Sequence, residues 1–203
     1  MNKEGREGKL GIKSSEKELF NELPAGLKIM YWFFSFPDSS FSLNDLASRL
    51  NISKISARKA VEEFVKKGFL NREMGSKLWK ISCNKEHRFN RTIKIAFNLT
   101  LIYESGLLES IKKAFPDNKA VVLMGDYRHG QDSEKRPIEI AIFSPEHEGE
   151  IKDKHLGNLG ELGYRRDVPV KAHVYYSHHI VDRKNLSEIA NGIVLEGKIV
   201  LHS

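Results

Sequence analysis

The chain has 203 residues with 33 Lys and Arg against 27 Asp and Glu, a net charge of +6, and 40% hydrophobic residues. That composition is globular and excludes a fibrous or wholly disordered chain. Its longest apolar run, residues 29–36, is interrupted by Ser35 and is far shorter than the roughly 20 residues a membrane span needs.

Residues 1–17 are charged and glycine-containing with no apolar core, which predicts a flexible basic arm and not a signal peptide. Residues 23–37 are strongly apolar and predict a helix, with Pro24 suited to its first turn. Ser42 followed by Asp45 marks the N-terminus of a second helix, whose buried stripe is Leu43, Leu46, Ala47 and Leu50. After a turn at 51–53, residues 53–67 place Ala57, Ala60, Val61, Phe64 and Val65 at helical spacing and end at Gly68. Two short strands follow, 69–73 and 78–82, joined by residues 74–77. The polar stretch 83–92 separates a first domain, 18–85, from a second, 90–203, each expected to bury a core of its own.

In the second half, residues 97–115 read as two helical pieces broken at Ser105 and Gly106, and 120–124 is an apolar strand running into Gly125. A polar loop containing Gly130 leads to an alternating strand through Ile138, Ile140 and Ile142. Residues 145–154 are charged and turn-like, with no evident chemistry. The strand 168–176 sets Val168, Val170, Ala172 and Val174 on one face and Pro169, Lys171, His173 and Tyr175 on the other. His173, His178 and His179 lack the Cys or acidic spacing that completes a zinc site. Trp32, Phe33, Phe34 and Phe36 are expected in the core, any exposed part serving a dimer interface.

The run Ser53, Ser56, Ala57, Val61, Phe64, Gly68, Phe69, Leu70 resembles the recognition helix of winged helix-turn-helix regulators of archaea and bacteria. The resemblance implies three helices plus a β-hairpin wing that bind double-stranded DNA as a homodimer. With Ala57, Val61 and Phe64 inward, Lys54, Ser56, Arg58 and Lys59 face outward, arginine suiting guanine edges and lysine phosphates. The wing offers Arg72, Ser76 and Lys77. Charge agrees, since the whole +6 excess falls in residues 1–90 and the remainder balances to zero.

Residues 120–143 resemble the signature of the nucleotidyltransferase superfamily in its minimal archaeal form. Ile189, Gly192, Leu195 and Gly197 match the closing pattern of that group. The family's loop opens Gly-Ser and its next strand begins Ser-Asp-x-Asp, so that carboxylates at i and i+2 hold paired metal ions. Here Asp126 stands at the serine, Pro137 at the first aspartate and Glu139 at the second, and neither face of 168–176 supplies a third. The expectation is an α+β protein: an N-terminal winged helix-turn-helix and a C-terminal α/β nucleotidyltransferase-like domain with a mixed sheet. The second domain is expected to be inactive, without bound metal, serving dimerisation or nucleotide sensing at Gly125, Asp126, Arg128 and Gly130. Two alternatives stay open: an active, magnesium-dependent nucleotidyltransferase using Asp126, Asp132 and Glu139, and an inactive antitoxin that binds a toxin partner. A single cysteine, Cys83, excludes an internal disulfide and fits a cytoplasmic protein without membrane association.

Overall fold

The computed structural model describes residues 20, 22–75, 78–144, 152–175 and 183–199. The expectations placed on the 1–17 arm, on Ser76 and Lys77 and on His178 and His179 lie outside these residues, as does most of 145–154.

The first half builds three helices and a small sheet. Helix α1 (Ala25–Ser35) starts behind Pro24, which sits at the cap with φ −55° and ψ 146° and not inside the first turn. After the two-residue strand β1 (Ser40–Phe41), helix α2 (Leu43–Arg49) is opened by a complete capping box. In that box the Asp45 amide donates to Ser42 Oγ at 3.1 Å while Asp45 Oδ2 accepts from the Ser42 amide. Helix α3 (Lys54–Lys66) is capped by Ser53 Oγ. It ends in a Schellman turn at Gly68, φ 76°, where the Phe69 amide donates to the Phe64 carbonyl and the Gly68 amide to that of Val65. Strands β2 (Leu70–Met74) and β3 (Trp79–Cys83) form the hairpin one residue later than predicted. The antiparallel sheet has the order β1-β3-β2, β1 joining through Ser40 opposite Ser82 and Phe41 opposite Ile81.

A 3-10 turn (Arg88–Arg91) leads into α4 (Ile93–Glu104) and α5 (Leu107–Ala114), separated at Ser105 and Gly106 as predicted, Gly106 taking φ 73°. Strand β4 (Ala120–Met124) is followed directly by a one-turn helix α6 (Gly125–His129), where the sequence suggested only loop. Strands β5 (Ile138–Phe143), β6 (Lys152–Leu162) and β7 (Arg165–Tyr175), helix α7 (Arg183–Ala190) and strand β8 (Ile193–Gly197) complete the described chain. The five-stranded sheet runs β6-β7-β5-β4-β8 and is mixed: β5 and β7 are parallel, the other neighbours antiparallel. The protein is therefore α+β with two sheets, one of them mixed. Strand β8 adds to the edge of β4.

The halves do not bury separate cores. One apolar cluster runs from Phe20, Phe33 and Phe34 through Phe97 and Leu101 to Ile140 and Val174. The seam is aromatic: Tyr31 stacks on Phe97 with centroids 4.4 Å apart, and Trp32 meets Tyr164 at 5.3 Å. Such pairs add about 0.5–1.5 kcal/mol each beyond the area they bury. Tyr31, Trp32 and Phe34 of α1 thus meet the seam, whereas Phe33 packs on Phe41 within the first half, and Ser39 Oγ donates to Glu134 Oε1 across the same junction at 2.9 Å. No helix among the described residues is long and apolar enough to cross a membrane.

Candidate nucleic-acid interface and adjoining cleft

Helix α3 buries Ala57, Ala60, Val61 and Phe64 and leaves Lys54, Ser56, Arg58 and Lys59 exposed, as its 3.6-residue period requires. Ser56 is partly committed to the helix start, its amide donating to Ser53 Oγ at 3.0 Å. Arg58 Nε donates to Glu62 Oε1 at 2.9 Å, one turn along the same face. Arg72, on β2, is exposed beside it. The structure brings Arg58 of α3 and Arg72 of the hairpin together at Trp79, and Lys54 and Lys59 are exposed on the same helix as Arg58.

Sequence reasoning missed two parts of this surface. Two guanidiniums lie over the Trp79 ring, Arg72 Cζ at 4.5 Å and Arg58 Cζ at 5.3 Å from its centroid. Ile55, in the first turn of α3, is 83% exposed, and Met74 and Leu78 near the hairpin end are also exposed. The signal was present for Trp79, an aromatic opening a strand in a basic hairpin, but α3 and β3 are too far apart in sequence to show that they meet.

The second half answers differently. Gly125 (φ 63°) carries no side chain where a Cβ would come within 3.0 Å of Glu139 Oε2, so Glu139 covers the loop start. Asp126 pairs with Arg136 at 3.3 Å. Arg128 does not reach into open space: it is buried, with NH2 donating to Glu188 Oε2 at 2.9 Å and NH1 to the Glu188 carbonyl at 3.1 Å, tying α6 to α7. Gly130 (φ 69°) is demanded by packing, because a Cβ there would lie 1.9 Å from the Asn90 carbonyl oxygen.

Asp132 is buried in an ion cluster. Its Oδ1 accepts from Asn98 Nδ2 at 2.6 Å and lies 3.3 Å from Lys94 Nζ, while Oδ2 accepts from Arg165 NH2 at 3.0 Å. Burial pushes Lys94 below the ordinary lysine range, against the opposing pull of the Asp132 charge. Among the described residues no three of His, Cys, Asp or Glu gather as a metal-holding group. Asp126, Asp132 and Glu139 accordingly go to different partners: Arg136, the Lys94 and Arg165 pair, and the Gly125 turn. Opposite Glu139 in the parallel β5 and β7 pair stands Lys171.

Between the halves lies a cleft of about 350 Å³ lined by Asp38, Lys85, Arg91, Asp126, Gln131 and Arg136 among others. Its charges are internally matched: Lys85 meets Asp38 at 2.7 Å, Arg91 meets Glu86 at 2.7 Å and Arg136 meets Asp126. The Lys85 ammonium holds the Asp38 carboxyl below its usual range.

No protein-family model and no curated protein sequence matches this chain.

Proposed function

We propose that the protein is a sequence-specific regulator of transcription that binds double-stranded DNA through α3 and the β2–β3 hairpin in the winged-helix manner. The observation that carries this is the exposed basic face of α3, Lys54, Arg58 and Lys59, continuous with Arg72 of the hairpin. In support, the three helices and the β1-β3-β2 sheet leave the outer face of the third helix exposed, as a helix entering the major groove must be. Lysines and Arg72 supply phosphate contacts, which give affinity, and Arg58 supplies a base contact, which gives sequence preference. Two half-sites read by a homodimer complete this function.

The second half we read as a nucleotidyltransferase-like domain without catalytic metal chemistry. In support, Pro137 and Lys171 stand where carboxylates would be needed, Asp132 is committed to buried cations, and Arg128 and Gly130 have packing duties. Its role is dimerisation or nucleotide sensing at Gly125 and Asp126.

Fluorescence anisotropy of the full chain on labelled 30-bp genomic duplexes, across a salt series, tests this. About three phosphate contacts per protomer, about six for the homodimer, give log Kd against log salt a slope of about 5 in magnitude, at roughly 0.9 per contact. A Lys54→Glu, Lys59→Glu double variant should lose that binding. Equal binding by parent and double variant, or none by either at low salt, overturns the proposal. Magnesium-ATP added to the same titration shifts Kd if the second half senses nucleotide.

A further inference from the structure

Trp79 is half-buried at the start of β3, and the guanidiniums that flank it come from different elements. Arg72 reaches it as a diagonal cross-strand neighbour, because Arg72 pairs with Ile81 and Trp79 with Met74. Arg58 arrives from α3 and is gripped twice, by the Trp79 ring and by Glu62 at its Nε. The Nε edge of the guanidinium is thereby used. The terminal amino edge, the one that forks onto guanine O6 and N7, belongs to a side chain that is still 63% exposed.

An exposed arginine normally loses rotamer freedom when it docks, and that loss weakens the contact. Arg58 is restrained at two points before any partner arrives, its guanidinium carbon lying 5.3 Å from the centre of the Trp79 ring and its Nε donating to Glu62. The same ring also meets Arg72, so one aromatic side chain contacts a cation of the helix and a cation of the hairpin.

We propose that Trp79 is a specificity-determining positioning residue: it holds Arg58 for a guanine edge in the major groove and aligns Arg72 with the adjoining phosphate. This rests on the DNA-binding function proposed above. Trp79 itself touches no base. Its contribution is to discrimination between sequences more than to affinity for duplex as such.

The experiment uses the full chain and two duplexes: the 20-bp sequence most enriched by the parent from a random pool, and the same sequence with its most Arg58-dependent guanine pair changed to adenine-thymine. Trp79→Ala lowers the affinity ratio between the two about tenfold or more, the scale of one bidentate arginine–guanine contact. The salt slope on the non-preferred duplex stays within about one unit of the parent's. Trp79→Phe, which keeps a ring under the guanidiniums, retains most of the ratio. Arg58→Lys, on an exposed helix face where folding is not at stake, collapses the ratio equally, and adding Trp79→Ala to it lowers the ratio no further. A Trp79→Ala ratio equal to the parent's, or losses equal on both duplexes, overturns the proposal while leaving DNA binding intact. A parent that binds no duplex overturns the function and this inference together.

Discussion

Replacing Asp132 by Asn removes one negative charge from between two buried cations. The side chains of Lys94 and Arg165 are 1% and 3% exposed and that of Asp132 is 0%, so little solvent can replace the lost charge. Breaking a buried ion pair by deleting one partner costs about 3–5 kcal/mol. At about 2–4 °C per kcal/mol for a chain of this size, the thermal midpoint should fall by about 6–20 °C. Asn keeps an acceptor for Asn98, which places it toward the lower end. The pH dependence has a definite sign. Burial depresses the folded pKa of Lys94 below its unfolded value, so between the two the unfolded chain binds more protons and stability rises with pH. Losing the Asp132 charge depresses Lys94 further, and the deficit of the variant should narrow as the pH rises toward the ordinary lysine range. Lys94→Met in the Asp132→Asn background should restore part of the loss. Differential scanning fluorimetry at several pH values reads all three effects. A midpoint change below about 2 °C would refute the reasoning and leave Asp132 free for another role, a metal ligand included.

Gly130→Ala should cost well over the roughly 1–2 kcal/mol of a left-handed L-residue, because its Cβ would overlap the Asn90 carbonyl. A chemical-denaturation midpoint equal to the parent's would contradict that packing. Cys83 is buried and its thiol is pushed up to about 11 by desolvation, so a thiol-disulfide reagent at pH 8 should label it only as fast as the fold opens. Rapid full labelling of native protein would show the site open. Ile55 is exposed in the first turn of α3, the helix proposed to enter the major groove, where apolar side chains meet thymine methyl groups. Ile55→Ala should therefore weaken binding to the preferred duplex less after thymine is replaced by deoxyuridine at the contacted step; equal losses on both duplexes would remove Ile55 from base contact.

Much of the first half was legible because its signals are local: the Ser42 and Asp45 cap, the period of α3 and the glycine at 68 each specify backbone geometry within a few residues. Strand β1 carries no such signal, since two residues become a strand only by lying against Ser82 and Ile81. Strand β6 was hidden by its own irregularity. Its register shifts between His155 and Gly157, and Leu159 and Leu162, three residues apart, are both buried, which breaks the alternation that marks a strand. The shared core escaped detection because Phe97 and Tyr164 show apolar character in sequence but not the partners they choose in α1. On α3 the outward residues followed from period alone, whereas the meeting of Trp79 with Arg58 and Arg72 depends on packing between separate elements. In the glycine loop the residue types suggested phosphate contact, and only the fold showed Arg128 on Glu188 and Gly130 against Asn90.

Lysine footprinting of the full chain, acetylated with and without its preferred duplex and read by mass spectrometry, tests the role of α3 most directly. Lys54 and Lys59 should be protected several-fold by the duplex, while Lys113 and Lys135, exposed on the second half, should react unchanged. Unaltered labelling of Lys54 and Lys59 in a complex shown to form, or protection confined to the second half, would contradict a reading helix at α3.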